Sequence, residues 1–491
     1  MTDPEAEGQG PAPEPATSTM PLRQARLLVF TTSAAVLVLE ILAGRLVAPH
    51  VGVSLETFTA IIGTVLAGIA VGNTVGGQLA DRHPPIRLIG PALVIGGSLA
   101  WLSLPVVALL GPEIGNGPLA VVALALFGFT APAAVLSAIS PMVAKLRLDD
   151  LDRTGEVVGT LSAAGTLGAL VGTFLTGFVL VAWIPTRLIV ILVGAALVLW
   201  GLQLTWRHRG RPDPLAAAGV VLALGLAALT GSPCDFESTY FCGSIETDAD
   251  DPSLRSLYLD DLRHAAVDLD DPTNLDIRYV RLLADVVDAL PEGPLRVLHI
   301  GGGGFTLPRY IEAVRPGSTS LVLEIDPMLV DVAEEHLGLV RSERLRVEVG
   351  DARLAIEDLP DDAYDLVIGD AFASLSVPWH LTTTEFVDEI ARVLDVDGVY
   401  AMNLIDGDGL DFLAAELATL DRSFDRLAVI RPAEPTSRPS NHVILAGRSE
   451  LPAVTVAGGD GALDDDVAEL VADGFVLTDD HAPVDRLITA R

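Results

Sequence analysis

Seven apolar stretches of helical length run through the first half of the chain, at 27–49, 57–80, 88–111, 118–144, 156–184, 188–206 and 214–231. Each approaches the roughly 20 residues that a helix needs to cross a hydrocarbon core, where backbone groups must be satisfied within the segment. The seventh is the shortest and is rich in alanine. Ahead of them, residues 1–24 are rich in Pro, Glu and Gly without apolar periodicity, which predicts a disordered tail and not a signal peptide. From Leu295 the pattern changes to short β-rich runs: LRVLHI (295–300), TSLVLEI (319–325), RLRVEV (344–349), YDLVIGD (364–370) and GVYAMNLI (398–405). Amphipathic stretches such as LPRYIEAV and PMLVDVAEEHLGL lie between them, so a parallel sheet with crossover helices is predicted. The expected architecture is an α-helical transmembrane bundle (25–232), a β-rich segment (233–290) and an α/β doubly wound, Rossmann-like domain (291–491).

Charge divides the chain at the same place. Residues 1–232 hold 12 basic and 13 acidic side chains, whereas 233–491 hold 19 and 52, so nearly all of the net −34 lies in the second half. A surface of that sign repels phosphate backbones, which argues against nucleic acid as a partner and for solvation as the main role of the charge. Basic residues in the first half are also unevenly placed. With the N-terminus cytoplasmic, Arg23, Arg26, Arg82, Arg87, Lys145, Arg147, Arg153, Arg207, Arg209 and Arg211 fall on one side, and Arg45 and Arg187 on the other. That bias predicts a multi-pass protein of the cell membrane, with the lipid bilayer as a partner. Seven spans then put the acidic half outside the cytoplasm. Cys234 and Cys242, separated by seven residues, fall in that half, where a disulfide can persist; two unpaired thiols are the alternative.

Within the apolar half, Glu40 and Arg45 bracket the outer part of the first span, where ionisable side chains are costly. Small residues in GTLSAAGTLGALVGTFLTGF favour close helix packing. GNTVGGQLADRHPPIR (72–87) resembles the loop signature of the major facilitator superfamily, with its basic tail replaced.

The soluble half carries the chemistry. Gly301, Gly302, Gly303 and Gly304 follow the first strand and precede a helix starting near Thr306, so the backbone there can approach a ligand closely. Glu324 ends the second strand, where an acid can bond both hydroxyls of a ribose. Asp351 follows the third strand and Asp370 ends the fourth, so all converge on the carboxyl edge of the sheet. A carboxylate beside an amine can take its proton. The turn lacks the spacing of a nicotinamide or flavin dinucleotide site, and no metal is expected.

These motifs, from ESTY (237–240) through LYLDDLRHAAVDLDDPTNLDIRY (257–279), IGGGG, LEIDP, GDAR and GDAF, resemble the spermidine synthase (polyamine aminopropyltransferase) family, which shares the fold of S-adenosylmethionine-dependent methyltransferases. The whole chain resembles bacterial proteins in which a membrane domain is fused to such a domain. The resemblance implies a decarboxylated S-adenosylmethionine or S-adenosylmethionine cosubstrate held by Gly301, Gly302, Gly303, Glu324 and Asp351, and an amine or polyamine acceptor deprotonated by Asp370. It places Tyr240 and Tyr279 beside an acceptor channel. Departures fall on that acceptor side: Gly304 and Ala373 stand where the family has aspartates, His264 where it has glutamine, and Val280-Arg281 follow Tyr279 in place of His-Glu. His264 reads either as a replacement acid/base or as an ordinary polar residue. Three functions stay open: an aminopropyltransferase, a polyamine or nucleoside binding or transport protein, and a methyltransferase with another acceptor.

Overall fold

The computed structural model describes residues 20–52, 55–115, 118–148, 154–209, 214–372, 377–432 and 439–489. Among the described residues six helices are long and apolar enough to cross a membrane: α1 (Leu22–Val51), α2 (Leu55–Arg82), α3 (Pro85–Ile114), α4 (Leu119–Arg147), α5 (Thr154–Trp183) and α6 (Thr186–His208). The seventh expected span is helix α7 (Pro214–Leu229), of 16 residues. At 1.5 Å per residue it covers about 24 Å, short of the ~30 Å of a hydrocarbon core. The seventh expected stretch is thus a helix shorter than the other six that packs on α3 and returns to the end of the bundle where α6 begins, beside Arg187.

Helix α1 also begins earlier than expected, at Leu22, so residues 22–24 belong to the bundle and not to a tail. Pro21 sits just before the first turn, and the Leu-Arg-Gln-Ala run that follows propagates a helix readily. Residues 1–19 of the expected tail lie outside the described residues. Small residues bring helices to backbone distance. A Cβ on Gly168 or Gly172 of α5 would run into the carbonyls of Phe30 and Ala34 on α1, and one on Gly72 or Gly76 of α2 into those of Ala134 and Ala138 on α4.

Opposite ends of the bundle have different partners. At one end Arg147 donates to the carbonyl of Met20 (3.0 Å), and Lys145 pairs with Asp81 in the last turn of α2 (2.8 Å). At the other, Arg187 donates to the carbonyls of Ala227 and Ala228 at the end of α7. The second half begins at this latter end.

An antiparallel sheet comes first: β1 (Phe236–Glu237), β2 (Cys242–Thr247), β3 (Leu254–Leu259) and β4 (Leu262–Asp268), in sequence order. Helix α8 (Arg278–Ala289) leads into β5 (Arg296–Ile300), α9 (Thr306–Val314), β6 (Thr319–Glu324), α10 (Pro327–His336), β7 (Leu345–Val349), β8 (Tyr364–Gly369), α11 (Thr384–Val393), β9 (Leu394–Asp406), α12 (Asp411–Leu420), β10 (Arg426–Pro432), β11 (Ser440–Gly447) and β12 (Gly461–Asp464). The last eight strands form one sheet in the order β12-β10-β11-β9-β8-β5-β6-β7. Strands β7, β6, β5, β8 and β9 are parallel, while β11, β10 and β12 run antiparallel to their neighbours. Helices cover both faces, which is why β5, β6 and β8 are almost continuously apolar. Strand order reverses between β5 and β8, and a crevice opens at the carboxyl ends there.

Candidate functional site

Two backbone bonds fasten the crevice. The N–H of Gly301 donates to Leu323 O (2.9 Å), and that of Asp370 donates to Ile300 O (2.9 Å). Gly301 has φ +96°, and a Cβ there would lie 2.5 Å from the carbonyl oxygen of Asp370, so only glycine lets the ends of β5 and β8 come this close. Gly303 also has positive φ (+51°), but no atom lies within 4 Å of its Cβ position. Its side toward the crevice is open.

Glu324 is 5% exposed. Its Oε2 accepts from the N–H of Gly302 (2.8 Å), and its Oε1 from that of Asp326 (2.9 Å). The carboxylate thereby fixes the glycine turn to the end of β6, and each oxygen keeps a lone pair for a ligand hydroxyl. Burial pushes its pKa up, while the backbone donors pull it down. Asp351 caps the short helix after β7, accepting from Arg353 N (2.9 Å), and its Oδ1 lies 3.6 Å from Nε2 of His380.

Asp370 stands in the middle. One oxygen accepts from the Tyr279 hydroxyl (3.1 Å) and the other from the Asn403 amide (2.8 Å). Asn403, 2% exposed on β9, is itself bonded to Asn441 on β11 (3.0 Å). Burial raises the Asp370 pKa to about 6, against the downward pull of Asn403 and Tyr279. A small cavity of about 100 Å³ lies on one side, lined by Glu324, Asp351 and His380 among others. Another of about 40 Å³ lies on the other side, lined by Tyr279, His299 and Thr306 among others. His264, Gly301, Gly303, Asp370 and Phe372 line both. Desolvation holds His264 neutral, with a pKa lowered to about 4, and His299 likewise at about 3.

Of the residues singled out in the sequence, Gly301, Gly302, Gly303, Glu324, Asp351, Asp370, His264 and Tyr279 meet at this crevice. Tyr240 lies at the edge of it: 44% exposed, it lines the neighbouring cavity at the junction with the bundle, and burial, with the charges of Asp326, Asp351 and Glu324 that reach its hydroxyl, pushes its pKa up. Ala373 lies outside the described residues. Asn403 and Asn441 were not singled out, although an asparagine inside the apolar run GVYAMNLI was a usable signal, because a buried amide needs a partner. Cys234 and Cys242 are joined in a disulfide with Cα atoms 5.4 Å apart. Arg45, the ionisable residue in α1, reaches the soluble half: it donates to the carbonyls of Ser238 (2.5 Å) and Thr239 (2.8 Å) and to the Thr186 hydroxyl (3.1 Å).

Strand order, glycine turn and second-strand acid define a Rossmann-like α/β domain of the methyltransferase type, set behind a helical region with about six apolar helices. More particularly, residues 276–405 match the family described as Spermine/spermidine synthase domain, so the C-terminal region carries that domain. A polyamine aminopropyltransferase of Vibrio vulnificus is 37% identical over 112 residues, covering 22% of this chain and 38% of the relative. An eEF1A lysine and N-terminal methyltransferase of Xenopus laevis is 31% identical over 125 residues, covering 24% of this chain and 18% of the relative. The chain thus spans well under two thirds of either curated relative. Among solved structures, a probable spermidine synthase from Corynebacterium glutamicum is 24% identical with a TM-score of 0.48, covering 51% of this chain and 97% of that one.

Proposed function

We propose that the soluble half is an aminopropyltransferase, taking a decarboxylated S-adenosylmethionine-type donor and an amine acceptor, and that the helices anchor it in a membrane. One observation carries this reading: a carboxylate with its pKa raised to about 6, Asp370, stands between a crevice lined by Glu324 and Asp351 and a second cavity lined by Tyr279 and His264. A base near this pKa is mostly ionised at neutral pH and still accepts a proton usefully.

In the proposed step, the amine lone pair forms a C–N bond to the aminopropyl methylene attached to the sulfonium. The C–S bond breaks, its electron pair returns to sulfur, and a neutral thioether leaves. The nitrogen's proton passes to Asp370 and then to solvent. Glu324 holds the two ribose hydroxyls, Asp351 lies near the adenine, and Gly301 to Gly303 leave room for the sulfonium. The donor decides between transferases. An enzyme that turns over S-adenosylmethionine in place of its decarboxylated form is a methyltransferase on the same crevice.

The test is calorimetric titration of the full chain in nanodiscs with decarboxylated S-adenosylmethionine, S-adenosylmethionine and putrescine. Nucleoside binding is expected, lost in Glu324→Ala and kept in Asp370→Asn, with turnover abolished in the latter. No binding of either nucleoside would overturn both transferase readings.

The domain is further assigned to the non-cytoplasmic side. The charge bias supports this, as does its attachment at the end of the bundle that carries Arg45 and Arg187.

A further inference from the structure

Between the bundle and the soluble half lies a cavity of about 530 Å³, several times either cavity at Asp370 and within the roughly 300–1,000 Å³ of small-molecule sites. Its floor is apolar and belongs to the bundle, with Ile41 and Gly44 of α1, Phe58 of α2, and Leu104 and Ala108 of α3 among its lining. Phe58 is 49% exposed, so the cavity is not sealed on the side of α2. Its roof is the segment from Pro233 to Cys242. The disulfide closes that segment on itself, and two residues tie it to the bundle: Arg45, on two of its carbonyls, and Glu237, which accepts from the N–H of Thr186 (2.8 Å). A roof fastened to the floor is a built enclosure.

One ring is shared by the linings of this cavity and of the crevice. Phe241 lines both the junction cavity and the cavity that holds Glu324 and Asp370, and its ring lies 6.1 Å from that of His264. His264 in turn lines both cavities around Asp370. Phe241 and His264 thus stand between the space beside the base and a largely apolar chamber at the level of the helices, whose lining also carries Arg45, Arg187, Glu237 and Asp260.

The acceptor side of the crevice has the opposite shortage. Besides Asp370, the titratable side chains that line the smaller cavity are His264, Tyr279 and His299. None of these is an anion at neutral pH. A second ammonium on a diamine would find no counter-charge among the described residues there, whereas an apolar chain has somewhere to go.

We infer that the acceptor is a single-headed, long-chain amine whose head reaches Asp370 past Phe241 and whose hydrocarbon chain occupies the junction cavity. This rests on the aminopropyltransferase reading and specifies its substrate class.

The test uses the full chain in phosphatidylcholine nanodiscs and a dodecylamine carrying a diazirine at the chain end. Photolabelling is expected on the α1 and α3 residues of the cavity, to saturate, and to be displaced by unlabelled dodecylamine but not by putrescine. Ala108→Phe and Gly44→Leu fill the chamber from opposite walls, away from the nucleoside crevice. Each should lower labelling at least about tenfold, equivalent to roughly 1.4 kcal/mol, with nucleoside titrations unchanged. The pair of variants guards against one that fails to fold. Labelling confined to lipid-facing side chains such as Leu109 and Trp183, displacement by putrescine, or labelling that persists in both folded variants overturns the inference. So does equal labelling by the matching diazirine fatty acid, which marks an unselective lipid site. Failure of nucleosides to bind while dodecylamine still labels the cavity would instead strike the transferase reading.

Discussion

The bond from Asn403 to Asp370 sets where the proposed base titrates, and removing it gives a pH signature that can be calculated in advance. Asn403→Leu keeps a side chain of similar size on β9 but deletes the amide that donates to Asp370 at 2.8 Å. A hydrogen bond to a charged group is worth about 1.5–3 kcal/mol. At 1.36 kcal/mol per pKa unit, its loss should raise the Asp370 pKa by about one to two units. From about 6 in the native protein, the variant should then titrate between roughly 7 and 8. The sign follows from the base form being the active one: a higher pKa leaves more of the carboxyl protonated at neutral pH. The ionised fraction at pH 7 falls from about nine-tenths to between one-half and one-tenth, so kcat/KM should fall about two- to tenfold there. Activity should recover at pH 9, where the carboxyl ionises in both proteins. The assay is the pH dependence of kcat/KM for release of the thioether nucleoside, followed by chromatography. Asn441→Leu, which removes only the support of Asn403, should shift the acid limb less. An acid limb that stays put in Asn403→Leu, or a loss that persists at pH 9, would refute Asp370 as the titrating base.

Gly301→Ala should abolish nucleoside binding or folding, because its Cβ meets the Asp370 carbonyl at φ +96°, whereas Gly303→Asn should fold with a Tm near the native one, since φ +51° is a conformation asparagine adopts and the space is open. Thermal melts of the two variants, with nucleoside titration, check the contrast. Cys234→Ser opens a loop closed by residues eight apart in sequence, and the loop-entropy relation gives a loss of about 2–3 kcal/mol. A lower Tm on reduction of the native protein, absent in the variant, is the expected readout. A phosphatase fused after Ser232 should be active in the periplasm of a bacterial host, and a fluorescent protein fused at the same point should be dark if secreted unfolded. The reverse pattern would overturn the proposed sidedness.

Residues that act through their own backbone position were legible in the sequence, and those that act through packing were not. Gly301, Glu324, Asp351 and Asp370 follow directly from strand ends, because a parallel sheet presents every carboxyl end on one edge whatever the side chains beneath. Tyr279 was found through a motif, and the structure puts its hydroxyl on Asp370. Tyr240 lies at the edge of the crevice and lines the junction cavity, since its segment is fixed by the Arg45 and Glu237 contacts across the domain junction, nearly 200 and about 50 residues away in sequence. Asn403 and Asn441 are paired only by the antiparallel register of β9 with β11, which apolar patterning does not specify.

The same distinction keeps the charge arithmetic apart from acceptor binding. The excess of 33 negative charges in residues 233–491 reads mainly as solvation. Part of that charge serves the fold itself: Asp248, Asp251, Asp268 and Asp271 accept from the backbone of their own turns, and Asp365, Asp395 and Asp362 gather Arg296 and Arg448. Acids in such turns satisfy local N–H donors and do not face the crevice. What lies beside Asp370 instead is a neutral histidine, a tyrosine and an aromatic ring, Phe241, that also lines the largely apolar junction chamber. On the proposed reading, ligand choice at Asp370 is governed by the few groups within hydrogen-bond or van der Waals reach, and the net charge of the surrounding domain acts only as a screened, distant field.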